Sequence, residues 1–273
     1  MIMVKDKNNI GIKISKEALI SILLAGCFIM LAIADNSFAD LDMNRLLLYW
    51  NCEAGEGNVL MDISGNGRDA MIKAGKSEWW LGKFGGGIRL KQAYAQVDGN
   101  IIESIGDTGQ ISLMFWFKIN QHSGYDGLIS IKPPKGNCCS YRLMVDPNFN
   151  PFWSAGHPVD KILPSFTFDL NRWYHYALTA DEKSSKIYVD SIFIVEQAEN
   201  LKLPVFKEVT VYLGTGENPG MHSVEDTIFD EVMIWDKVLS ENEIRETWEN
   251  QSATLVKLMD KVATTWGIIK VKH

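Results

Sequence analysis

Asp226-Thr227-Ile228-Phe229-Asp230-Glu231-Val232-Met233-Ile234-Trp235, running on through Asp236 to Leu239-Ser240-Glu241-Asn242-Glu243, is the stretch whose reading decides the fold. Thr227 to Asp236 is rich in β-branched, aromatic and apolar residues and too short for a long helix, so it reads as a strand. The chemistry then changes. Ser240 can accept from the amide of Glu243 while the Glu243 carboxylate reaches back, a capping box that predicts a short helix straight after the strand.

Outward from there, short apolar runs recur between turn signals. Leu46 to Cys52, Gly87 to Leu90, Tyr94 to Val97, Ile111 to Ile119, Gly127 to Ile131 and Tyr141 to Val145 read as strands in the first half. Trp173 to Ala180, Lys186 to Val189, Ser191 to Glu196 and Val209 to Gly214 follow in the second. Ser64-Gly65-Asn66-Gly67, Gly85-Gly86-Gly87, Asp98-Gly99-Asn100, Pro133-Pro134 and Asn218-Pro219-Gly220 punctuate them. Many short strands without a helical period between them predict an all-β, two-sheet antiparallel sandwich with short C-terminal helices.

The ends differ from this middle. Lys5, Lys7, Lys13 and Lys16 precede an apolar run from Leu19 to Ala34, and Ser37-Phe38-Ala39 gives the small-x-small pattern of a signal-peptidase site. Residues 1–39 therefore read as a signal peptide, implying a secreted or cell-surface protein with no membrane span after cleavage. Leu24-Ala25-Gly26-Cys27 has the form of a lipobox, so lipoprotein anchoring at Cys27 is the alternative; the apolar Phe28 to Ala34 that follows is unlike a polar tether. At the other end, Leu255, Leu258, Met259, Val262, Trp266 and Ile269 recur at helical spacing, and residues 251–273 read as an amphipathic tail.

With 34 Asp and Glu against 27 Lys and Arg, the net charge of −7 argues against nucleic acid as a partner. Cys52, Cys138 and Cys139 remain after the leader, allowing a disulfide from Cys52 to either of the adjacent pair, or free thiols. Nothing completes a zinc site.

Four separated segments then resemble a laminin-G-like jelly-roll of the concanavalin A-like lectin/glucanase superfamily, over about residues 46–250 within a domain of 40–250. They are Leu48 to Gly57, with Trp50 and Glu53; Asp62-Ile63-Ser64-Gly65-Asn66-Gly67-Arg68-Asp69-Ala70; Gly82-Lys83-Phe84-Gly85-Gly86-Gly87-Ile88-Arg89-Leu90; and the set Trp173-Tyr174-His175-Tyr176-Ala177, Ile187-Tyr188-Val189-Asp190 and Phe229 to Trp235. Two positions depart from the family pattern: Cys52 stands where an aromatic is usual, and Ser191 replaces a glycine, which predicts a looser hairpin at Asp190-Ser191. The resemblance implies a structural Ca²⁺, and Glu53, Asp62, Asn66 and Asp230 are the oxygen donors expected to hold it.

Function is expected from the surface. Glycosidases of the laminarinase-like branch of this fold carry Glu-x-Asp-x-x-Glu on one strand, and no such string occurs; Glu225-Asp226-Thr227-Ile228-Phe229-Asp230-Glu231 has the wrong spacing. The sequence thus predicts no enzyme but an extracellular carbohydrate-binding or adhesive module, its partner a glycan or an extracellular or cell-surface protein. Protein contact and glycoside hydrolysis are the alternatives. Sugar faces stack on aromatic rings beside polar groups, and Trp153, Tyr125 and Trp80 are the candidate ligand-binding residues.

Overall fold

The structure is a computed structural model, and it describes residues 2–5, 11–14, 41–99, 108–132, 141–155, 160–198, 209–216, 218 and 220–249. Residues 1–40 form a unit separate from 41–273. In the first, β1 (Ile2–Lys5) pairs antiparallel with β2 (Gly11–Ile14). Apart from this hairpin, the signal peptide read over 1–39 lies outside the described residues, as do Cys27 and the tail 251–273.

The second unit is a sandwich. Sheet I contains β6 (Lys76–Leu81), β7 (Gly86–Lys91), β9 (Ile111–Gln121), β14 (Tyr174–Ala180), β15 (Ser184–Val189), β16 (Ile192–Ala198) and β18 (Asp226–Trp235), in the order β16-β15-β14-β9-β18-β7-β6. β3 (Leu46–Trp50) also pairs with β18. Sheet II contains β4 (Val59–Leu60), β5 (Ala70–Lys73), β8 (Tyr94–Gly99), β10 (Asp126–Lys132), β11 (Tyr141–Val145), β12 (Pro151–Ala155), β13 (Lys161–Ile162) and β17 (Val209–Leu213). Its order is β13-β12-β11-β10-β17-β8-β5-β4, and every pairing in both sheets is antiparallel. The expected all-β jelly-roll class holds. Sequence patterning missed β4, β5, β6, β12 and β13, because they are short or, like Lys76-Ser77-Glu78, carry too little apolar alternation to register.

Period-two alternation builds the core. Along β9, Ile111, Leu113, Phe115, Phe117 and Ile119 point between the sheets and meet Leu143, Trp153, Val211 and Leu213 of sheet II. A second apolar cluster lies on the outer face of sheet I, where Tyr49, Met114, Ala177, Tyr188, Met233 and Trp235 pack against Leu41, Met43, Leu239 and Ile244. Ile244 belongs to α1 (Glu241–Glu249), which is entered as expected: the Ser240 amide donates to Glu243 Oε2 at 2.8 Å, and the Glu243 amide to Ser240 Oγ at 3.3 Å. The helix thus seals one end of that face.

The β15–β16 hairpin corrects an expectation. Val189 pairs directly with Ile192, and both Asp190 and Ser191 have positive φ, of 50° and 62°, so the turn is a tight two-residue one. Asp190 Oδ1 accepts from the His175 amide at 2.9 Å, which ties the turn down without a glycine.

Candidate functional site

β18 changes partners midway. On one edge it pairs with β7 through Thr227, Ile228 and Phe229, then with β3 from Val232 onward. The handover falls on Asp230 and Glu231, and Glu231 adopts a positive φ of 55°. Phe229 and Val232 flank the pair and both point into the core, so this bulge turns both carboxyls to the outer side. There Asp230 Oδ2 accepts from the Lys83 and Phe84 amides at 2.8 and 2.9 Å, and Glu53 Oε1 accepts from Gly86 at 3.0 Å. The carboxylates stand in for the missing ladder.

Both buried acids are hard to ionise. Burial, reinforced by Glu53, pushes Asp230 up to about 8 against the amides that favour its anion. Burial and the neighbouring Asp230 push Glu231 up to about 8, although Tyr49 donates its hydroxyl to Glu231 Oε2. Asp230 Oδ1 is buried without a hydrogen-bond partner.

Asp62 sits differently. Its Oδ1 accepts from the Tyr49 and Ser64 amides at 2.9 and 3.0 Å, and its Oδ2 from Ser64 Oγ and the Arg68 amide, each at 2.9 Å. Asn66 turns its amide nitrogen to the Leu46 and Leu47 carbonyls, at 2.9 Å each. Glu53 and Asp230 therefore meet at the β6–β7 turn, while Asp62 and Asn66 close a different loop and tie it to β3. The four do not form one oxygen cage, and among the described residues no group of three or more His, Cys, Asp or Glu could hold a metal ion.

One further expectation is corrected. Trp153 is only 2% exposed: it lies in β12 facing the core, with its ring nitrogen 3.3 Å from Ser185 Oγ, because alternation along β12 directs it inward. Cys52 is a buried free thiol with Sγ 3.7 Å from the Trp50 carbonyl. Cys138 and Cys139 lie outside the described residues.

Trp80 and Tyr125 are exposed, at 49% and 39%, but they belong to different sheets. Trp80 is on β6, stacked on Arg89 at 5.1 Å. Tyr125 precedes β10 and makes edge contacts with Phe152 at 5.7 Å and His222 at 5.4 Å.

Tyr125 borders the outer face of sheet II, which sequence reading missed because its residues are spread over strands far apart in the chain. Ala95, Val97, Val211 and Leu213 face inward, so Tyr94, Gln96, Asp98, Thr210 and Tyr212 face outward. Register puts Tyr212 opposite Gln96 and Ser130, and Thr210 opposite Asp98 and Lys132. A polar chain links them: Lys73 Nζ donates to Gln96 Oε1 at 3.0 Å, Gln96 Nε2 to Asp98 at 2.8 Å, and Thr210 Oγ1 to Asp98 Oδ1 at 2.7 Å. Desolvation would raise the Asp98 pKa, but the bonds from Thr210 and Gln96 hold it below the usual carboxylate range. Tyr94 and Tyr212 meet edge to face at 6.0 Å. Lys132 donates to Asn218 at 2.6 Å, and Arg142 pairs with Asp160 above the Phe152 ring.

Fold and faces together define a two-sheet jelly-roll of lectin type. The chain belongs to the concanavalin A-like lectin/glucanases superfamily, whose family model matches residues 90–245. No curated protein matches its sequence.

Among solved structures it is similar to a Trypanosoma rangeli sialidase, with 16% identity and a TM-score of 0.61 over 77% of this chain and 33% of that one. It is also similar to domain 4 of AbnA, a GH43 extracellular arabinanase from Geobacillus stearothermophilus solved with arabinotriose, with 17% identity and a TM-score of 0.60 over 74% of this chain and 97% of that one. The binding domain of Botulinum neurotoxin DC, solved with rat synaptotagmin II, gives 16% identity and a TM-score of 0.56 over 76% and 51%. The chain spans a third of the sialidase's length, and at these identities the likeness is one of fold. It nonetheless corrects the expectation of no enzyme. The same sandwich occurs in a sialidase chain and in a domain of an arabinanase, so lack of a Glu-x-Asp-x-x-Glu string does not exclude glycoside hydrolysis. Among the described residues no helix is long and apolar enough to cross a membrane.

Proposed function

We propose that the chain recognises a glycan on the outer face of sheet II. The observation that carries this is the Lys73–Gln96–Asp98–Thr210 chain beside Tyr94 and Tyr212. Amide, carboxylate and ammonium groups already fixed by one another can exchange hydrogen bonds with sugar hydroxyls at little ordering cost, while a tyrosine ring takes the C–H face. The exported or cell-surface location read from residues 1–39 belongs to the same proposal. So does an adhesive role toward a glycan or surface protein.

A second reading, glycoside hydrolysis, rests on Asp230 and Glu231, which the bulge sets side by side and burial keeps protonated toward neutral pH. A general acid needs that property, and a glycosidase needs a second carboxyl nearby. One experiment addresses both readings. A glycan array run on residues 41–273 is followed by calorimetry of the strongest ligand with Tyr94→Ala/Gln96→Ala, and by assay of reducing ends. We expect at least a tenfold loss of affinity in the variant. Undiminished binding would remove the face from consideration, and sugar release abolished by Asp230→Asn would transfer the function to β18.

A further inference from the structure

The outer face of sheet I beyond the helix-covered end carries charged and aromatic side chains of its own. Alternation and register lay out a grid there across four strands. Lys76 opposes Lys91; Glu78 opposes Arg89, which opposes Ile228, which opposes Lys118; Trp80 opposes Gly87, and Asp230 opposes Trp116. Trp80 stacks on Arg89 at 5.1 Å and Trp173 lies 5.2 Å from Lys118, so two tryptophan–cation pairs lie across this face, with their cations about two strand spacings, or ~10 Å, apart. Lys83 reaches over Trp116 at 4.4 Å, about two residues (~7 Å) along β9 from Lys118.

The charge of this grid runs against that of the whole chain. Arg89 is taken up by Asp226, at 2.5 and 2.7 Å, and Lys91 approaches Glu78 at 3.3 Å. Lys76, Lys83 and Lys118 have no carboxylate within ion-pair distance among the described residues. Three unpaired ammonium groups thus border two accessible indoles on a protein whose net charge is −7.

We propose that this face binds a polysaccharide carrying uronate carboxylates. The indoles take the C–H faces of separate sugars along the chain, and Lys118 and Lys83 pair with the ring carboxylates. Charge complementarity selects an acidic glycan over a neutral one. The negative net charge of the chain selects about one carboxylate per sugar over the denser charge of a sulfated glycan, which the rest of the surface repels. The proposal stands independently of the sheet II reading, since the two faces lie on opposite sides of the core.

The test is calorimetric titration of the full chain with oligogalacturonate, at low salt and in 0.5 M NaCl, with neutral xylo-oligosaccharide and a heparin fragment as comparisons. Expected is binding to oligogalacturonate that weakens at least tenfold in Lys83→Glu/Lys118→Glu and in Trp80→Ala, and that falls with salt. Tyr94→Ala/Gln96→Ala, with its altered side chains on the other sheet, should leave that affinity within twofold. Melting curves establish that each variant is folded, and Lys118→Gln supplies a milder version of the charge change. No binding to oligogalacturonate, equal binding of the neutral oligosaccharide, tighter binding of heparin, or indifference of folded variants to the charge reversal would each overturn it.

Discussion

Two aspartates each hold a turn beside β3, and they do it in opposite ways. Asp62 spends both oxygens on four donors, from Tyr49, Ser64 and Arg68, and is only partly buried. Asp230 is fully buried, gives one oxygen to two amides and leaves the other without a partner. An aspartate can therefore organise backbone through many donors, or sit as a buried acid whose charge the fold resists. The type of residue is the same; burial and the number of donors aimed at it set the two apart.

The largest effect tests the first of these. Replacing Asp62 by alanine strips partners from three backbone amides and one hydroxyl at the junction of β3 and the Ser64–Arg68 loop. Loss of about 3 kcal/mol, of order 10 °C in melting temperature, is expected. Asp62→Asn should recover part of it, because one amide oxygen still accepts. Thermal melts of the two variants check this; if alanine costs no more than asparagine, the four donors find water equally well and the contrast with Asp230 collapses.

Why one turn was legible and the other only in part follows from the same chemistry. Asp62-Ile63-Ser64-Gly65-Asn66-Gly67 is local, with turn residues at fixed offsets and positive φ at Gly65 and Gly67, of 87° and 70°. Its closure can be read from spacing. In Gly82 to Gly87 the glycines are visible but their reason is not. A side chain at Gly82 would meet the Gly86 carbonyl and, at 2.6 Å, Oδ2 of Asp230, a residue 148 positions away. The strands of β9, β14 and β18 announced themselves through long apolar alternation. The polar face of sheet II did not, since Lys73, Gln96 and Thr210 become neighbours only through the register of β5, β8 and β17. Trp153 misled because Pro151 and the nearby Asn148 and Asn150 look like a loop, while the chain there is a strand pointing the ring into the core.

The second prediction exploits the buried acid. Asp230 and Glu231 have folded pKa values of about 8, above their unfolded ones, so the native state holds protons that the unfolded chain releases. Their contribution is complete below pH 4 and is lost as pH rises through about 8. His175 acts oppositely: burial lowers it to about 3, so its contribution is present above its ordinary value and fades as pH falls from about 6.5. Two carboxyls outweigh one imidazole, so stability should rise as pH falls from 9 toward 5. Asp230→Asn/Glu231→Gln should flatten that rise, and urea unfolding at pH 5, 7 and 9 measures it. An unchanged slope in the double variant would mean that both acids ionise freely in the native state.

The smallest expected effect concerns calcium. A hard cation would need Glu53, Asp62, Asn66 and Asp230 to converge, but Asp62 already satisfies four donors and Asn66 presents its nitrogen to two carbonyls. Recruiting Asp62 to a metal would break bonds that close its own loop, and the surviving pair, Glu53 and Asp230, falls short of the six to eight oxygens Ca²⁺ takes. A melt in millimolar CaCl₂ and again in chelator should therefore differ by less than about 1 °C, because a ligand stabilises only by the native-state affinity it gains. A shift of several degrees that Asp230→Asn removes would reverse the contrast between the turns: the unpartnered Asp230 oxygen would then be the one awaiting a metal, and β18 rather than the Asp62 loop would be where the fold keeps its cation.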